Sequence, residues 1–251
     1  TLRVRVPKDY LVWATGPLKN PGEVLQPRYA ALLKKSMTTD SVIHIVTPAD
    51  LKKGGITRRN LFNTWDFRAK DVTEVAVFVG NHDDWDASSV VVDTLTHRRT
   101  SVQAAYYEKA KNFHGAVSMG QKALQWLSTR LPGVPYPYPT MTAVEGFAGM
   151  EYPMMVNDDD GGTDASSLYD AMEEERHEIS HSYFPFYMGI NESRYAFMDE
   201  GWASTFALLM AEEHHRLPHI EQTAMARIIR ETSDEDQVSM IESNYQTGIA
   251  Y

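Results

Sequence analysis

The rhythm of apolar and polar positions changes along the chain. From Thr1 to about Val79, short runs (LRVRV, YLVWAT, SVIHIV and VTEVAVFV) are separated by turn clusters such as GPLKNPG and LKKGG. This is the pattern of strands with one buried face. Leu2, Val4 and Val6, and likewise Val75, Val77 and Val79, are the expected inward positions. After NHDDWDASS, one more β-like run, VVVDTLTHRR, leads into a stretch from about Ser101 to Leu131 that is rich in Ala, Lys and Gln. That composition predicts a long helix, stopped by LPGVPYPYP. MTAVEGFAGMEYPMMV then predicts a strand, and its Pro153 places it at a sheet edge. From about Ala165 helices dominate: SSLYDAMEEERHEISHSYF, SRYAFMDEGWASTFALLMAEEHH and HIEQTAMARIIRET, with Asp164 or Ser166 available to cap the first. The expected fold class is α+β. A partial antiparallel β-sandwich over residues 1–88 precedes a mainly helical domain over 89–251.

Composition narrows the function classes. The 251 residues carry 34 acidic and 24 basic side chains, a formal net charge of -10, so the basic field needed to neutralise phosphates is missing and no nucleic-acid partner is expected. With 43% hydrophobic and 11% aromatic residues the chain has enough apolar surface for a real core. No apolar run approaches the roughly 20 residues needed to span a bilayer. There are 0 cysteines, which removes the thiol nucleophile and leaves His, Asp and Glu as the only strong metal ligands. The start, TLRVRVPKDYLVW, has neither an initiating Met nor an apolar leader and reads as a cut end of a longer chain, which leaves the compartment open. The acidic loop NDDDGGTD lacks the ligand spacing of a calcium loop and reads as a solvated turn.

The informative segment is HEISH, His177 to His181. Two histidines four apart lie on one helical face, where both imidazoles can reach one zinc ion, and Glu178 between them can reach a metal-bound water. A pattern this short also arises by chance, as a polar helix face. Glu200 in FMDEGWAS follows His181 after 18 intervening residues and opens the next helical pattern, so a third ligand would come from a neighbouring helix. Two histidines and one carboxylate leave the fourth tetrahedral position to water, the arrangement of a catalytic zinc site. His214, His215 and His219 are interrupted by Pro218, while His44, His82, His97 and His114 show no paired spacing. No Gly-x-Ser-x-Gly elbow is present. Glu173, Glu174, Glu192 and Asp199 are all near enough in sequence to orient a zinc-bound histidine, and spacing does not choose among them.

HEISH, the 18-residue interval and Glu200 together resemble the signature of the gluzincin metallopeptidases of the aminopeptidase N type. That family also carries a Gly-x-Met-Glu-Asn motif on an edge strand. Here AGMEYP supplies Met150 and Glu151, with Glu151 lying 26 positions before His177; Ala148 stands at the first Gly, Gly149 at the variable position and Tyr152 at the Asn. With PYPYP before that strand and DEGWA after the loop, the resemblance spans roughly Val90 to Met210, and weaker likeness reaches back to Thr1.

The resemblance implies a thermolysin-like catalytic domain, truncated at its C-terminus, and one zinc ion held by His177, His181 and Glu200. It implies Glu178 as general base, and Glu151 with Gly149 as substrate-binding residues, Glu151 taking the free α-amino group. An oxyanion-binding tyrosine is expected some distance after Glu200; Tyr251, 51 positions on, is the first candidate and Tyr245 the second. The expected partners are peptides with a free N-terminus. Two alternatives stand: an endopeptidase for which Glu151 is incidental, and a zinc-binding scaffold without activity.

Overall fold

The computed structural model describes residues 1–146, 149–160 and 165–215, of which 165–171 and 215 are described by backbone alone. The chain opens with strands β1 (Leu2–Pro7) and β2 (Leu11–Ala14) and helices α1 (Pro21–Val24) and α2 (Pro27–Ser36). Strand β3 (Ile43–Val46), helix α3 (Pro48–Lys53) and strands β4 (Phe62–Phe67) and β5 (Val77–Gly80) follow. A long hairpin of β6 (Asp83–Asp93) and β7 (Arg98–Tyr107) leads to helix α4 (Ala116–Thr129). Strands β8 (Thr140–Glu145), β9 (Met150–Tyr152) and β10 (Met155–Asp158) precede helices α5 (Ala165–Ser180) and α6 (Glu200–His215). The architecture is α+β. Among the described residues, no helix is long and apolar enough to cross a membrane.

Two small antiparallel sheets, β1 with β4 and β2 with β5, sit beside a six-stranded sheet of order β3-β6-β7-β8-β10-β9. The large sheet is mixed, because β7 pairs β8 in parallel and β8 pairs β10 in parallel. Its faces bury different partners. Val102, Ala104, Tyr106, Met141, Ala143 and Val156 pack with Leu124 and Leu127 of α4, Ile179 of α5 and Phe206 of α6. Trp85, Ala87, Ala105, Val144 and Met155 face the opposite way, against Trp13, Leu25, Tyr29, Leu33 and Trp65 of the N-terminal elements. The sheet is therefore a shared wall, and the helices that carry HEISH and Glu200 lie on one side of it.

Several expectations need correction. Residues 98–107 form β7 and the helix begins only at Ala116. With both sides of the sheet covered, the buried positions of β7 include the consecutive runs 100–102 and 104–106, and a strand buried on two faces has no period-two signal to read. The phase of the last N-terminal strand is reversed: Val75, Val77 and Val79 are 53%, 43% and 41% exposed, while Phe78 and Ala76 pack inward. Three helices stand where only strands and turns were expected. Each begins with proline, which is pre-shaped for the first helical turn. For α3 the signal is strong: the Thr47 hydroxyl accepts from the Asp50 N–H, and the Asp50 carboxylate accepts from the Thr47 N–H. MTAVEGFAGMEYPMMV is three strands, with Met154 (φ 69) turning the chain from β9 to β10. As Pro153 implies, β9 lies at the end of the sheet order, the proline itself falling in the turn.

Candidate metal centre

Helix α5 carries His177 and Glu178 and ends at Ser180, but His181 keeps helical angles (φ -57, ψ -17), so the four-residue offset still places both imidazoles on one face. Their ring centroids are 4.8 Å apart. Helix α6 begins at Glu200 and packs alongside α5, bringing its first side chain to the histidines. Nε2 of His177 lies 3.0 Å from Glu200 Oε2 and 3.1 Å from His181 Nε2, and His181 Nε2 is 3.7 Å from the same Glu200 oxygen. Tetrahedral zinc with bonds of about 2.0–2.2 Å holds its donors about 3.3–3.5 Å apart, so these three atoms fit a single ion of that kind. Two nitrogens and one carboxylate oxygen also match its borderline-soft chemistry.

The surroundings orient the histidines. His181 and Asp199 are buried, and Asp199 Oδ1 lies 2.5 Å from His181 Nδ1, with the Phe184 carbonyl 3.0 Å from the same nitrogen. Two acceptors at Nδ1 assign the proton there and leave Nε2 free to ligate. Of the four carboxylates that spacing left open, Asp199 takes this role. On His177 the corresponding nitrogen lies 3.4 Å from Ser204 Oγ. Ser204 is missing from the sequence-derived set, and its signal is its position four residues after Glu200, one turn along the same face of α6. Burial opposes charge on His181, but the Asp199 hydrogen bond and the nearby Glu151, Asp199 and Glu178 carboxylates outweigh it and raise its pKa to about 9, so a metal ion would ligate Nε2 by displacing a proton from it.

Glu178 is 7% exposed, and its Oε2 is buried without a hydrogen-bond partner among the described residues. Burial pushes its pKa up to about 8; the His181 charge pulls the other way, and Glu151 and Glu200 add to the rise. Glu151 sits on β9 at the sheet edge, and a carboxylate oxygen from it, one from Glu178 and a nitrogen of His181 all lie within 4.8 Å of one another. Burial raises the Glu151 pKa as well. Gly149 immediately precedes β9 and lies against α5: a Cβ built on it would come 2.7 Å from Glu174 Oε1 and 2.9 Å from Glu178 Oε1. The structure thus brings together His177, His181, Glu200, Glu178, Glu151 and Gly149. Tyr251 and Tyr245 lie outside the described residues, as does part of the acidic loop, 161–164.

No protein-family model and no curated protein sequence matches the chain. Solved structures do. The chain is similar to the M1 zinc metallopeptidase from Deinococcus radiodurans, with a TM-score of 0.61, 14% identity, and coverage of 99% of this chain and 48% of that one. The E323A mutant of that M1 zinc metallopeptidase gives a TM-score of 0.59 at 14% identity, covering 95% of this chain and 46% of that one. At this identity the likeness establishes the fold. The chain spans about half the length of these neighbours.

Proposed function

We propose that the chain is a zinc-dependent metallopeptidase of the aminopeptidase N type, which hydrolyses the first peptide bond of peptides with a free N-terminus. The observation that carries this reading is the convergence of the His177, His181 and Glu200 donor atoms, 3.0–3.7 Å apart, beside buried Glu178, whose Oε2 has no hydrogen-bond partner among the described residues. His177, His181 and Glu200 would hold one zinc ion. That ion supplies Lewis-acid polarisation of the scissile carbonyl and a lowered pKa for the attacking water.

The chain's own residues do the rest. Glu178 accepts a proton from the water as its oxygen bonds to the carbonyl carbon, and delivers it to the amine as the C–N bond breaks. Asp199 holds the His181 ring in place throughout. Strand β9, at the edge of the sheet, offers backbone groups to an extended peptide by strand addition. Glu151, partly buried on that strand and close to Glu178, would take the peptide's ammonium group, and its nearness to Glu178 supports this role. That contact would register the first peptide bond over Glu178 and confine cleavage to the N-terminal residue. Tyr251 is proposed, with Tyr245 as second choice, to donate to the developing oxyanion.

The specificity is tested by following cleavage of paired peptides, identical except for a free or acetylated N-terminus, and by comparing Glu151→Gln with the unmodified chain. Cleavage restricted to the free peptide, and weakened in the variant through a raised KM, supports the aminopeptidase. Equal cleavage of both peptides makes the chain an endopeptidase.

A further inference from the structure

We infer that Glu174 reads the substrate residue just beyond the scissile bond and selects a lysine or arginine there; this rests on the peptidase reading above. Three placements fix the direction of a bound peptide. Its ammonium end belongs at Glu151, and its first carbonyl carbon must lie within reach of Glu178, whose carboxylate is within 4.8 Å of that of Glu151. From Glu151 the line over Glu178 leads back along the strand to Gly149, because Glu178 Oε1 lies only 2.9 Å from the point a Gly149 Cβ would occupy. A peptide running this way is antiparallel to β9, a normal mode of strand addition at an edge.

The residue after the scissile bond therefore falls beside Gly149, where Glu174 waits. Its Oε1 is 2.7 Å from the same Cβ point, and it stands one helical turn before Glu178 on α5. Glu174 is half-buried, and among the described residues it makes neither a hydrogen bond nor an ion pair. Glycine at 149 leaves room for the Glu174 carboxylate to lie directly over the backbone. The Asp159 charge repels it. A cationic side chain entering here meets a carboxylate that no described residue neutralises, in a partly desolvated groove, and an acidic one meets repulsion.

The test is the initial rate of leucine release from Leu-Lys-Ala, Leu-Leu-Ala and Leu-Glu-Ala amides by the zinc-loaded 251-residue chain, Glu174→Gln and Glu174→Lys. The unmodified chain should prefer Lys over Glu at the second position by about five- to twentyfold in kcat/KM, a preference that shrinks at high salt. Glu174→Gln should bring the two rates together and Glu174→Lys should invert them. Cleavage of all three peptides at similar rates by the unmodified chain, or a Lys preference that survives in both variants, overturns the role of Glu174 alone. Cleavage of none of them overturns the peptidase reading, and the inference with it.

Discussion

Asp199 Oδ1 lies 2.5 Å from Nδ1 of His181, with both side chains buried. The contact links two helices: His181 immediately follows α5, and Asp199 immediately precedes Glu200, the first residue of α6, whose carboxylate is the third donor of the cluster. One carboxylate thus sets the tautomer of a histidine and the approach of the helix that completes the site. Asp199→Asn keeps the shape and removes the charge. It should weaken zinc binding by about 10- to 100-fold, read by competition with a chromogenic chelator. Unchanged affinity would reduce Asp199 to a packing role.

Gly149 leaves no space for a larger residue without moving the carboxylates of Glu174 and Glu178. In Gly149→Ala the new methyl would press on Glu174 Oε1 and Glu178 Oε1 at 2.7 and 2.9 Å. Both are ends of flexible side chains, so the fold should survive while Glu178 turns away from the water. The expected result is a fall in kcat of about 10- to 100-fold with zinc content unchanged, since misplacing a reacting group by about 1 Å is enough for that. An unaltered kcat would mean that Glu178 works from another rotamer.

A pH-dependent penalty is built into the six-stranded sheet. Asp84 on β6 is 3% exposed and its Oδ1 has no hydrogen-bond partner among the described residues. Burial, followed by repulsion from Asp86 and Glu108, raises its pKa from 3.8 to about 6. The native state thus holds this proton more tightly than the unfolded chain does. The stability that the protonated group contributes is complete below the unfolded value and is lost as pH rises towards 6 and beyond. Asp84→Asn should gain up to about 3 kcal/mol over the unmodified chain at pH 7.5, and little at pH 4. Thermal melts at the two pH values check this, and a gap of equal size at both would contradict it.

The convergence of the proposed zinc ligands His177, His181 and Glu200 is legible in the sequence because a helical offset is encoded in spacing. A four-residue offset on a helix needs no tertiary information, and Glu200 is marked by opening the next helical pattern. The edge position of β9 is equally visible through Pro153. Features that depend on tertiary burial are not. Strand β7 is covered on both faces and shows Ala, Gln and Val without alternation, so composition alone favours a helix. The choice of Asp199 among four carboxylates depends on where α6 docks. The Gly149 contact with α5 joins segments that local patterns treat separately. The helices α2 and α3, by contrast, carry Pro at their first turns, and α3 a complete capping box, signals that outweigh the β-like runs around them.

The most direct test of the central claim compares the zinc-loaded chain with Glu178→Gln, measuring zinc content and hydrolysis of a free-N-terminus peptide on the same samples. One zinc per chain in both proteins, with hydrolysis in the unmodified chain lowered at least about 10²–10⁴-fold in the variant, is the predicted result. Zinc bound in both proteins with equal hydrolysis, or with none in either, would contradict the assignment of Glu178 and of the peptidase activity built on it.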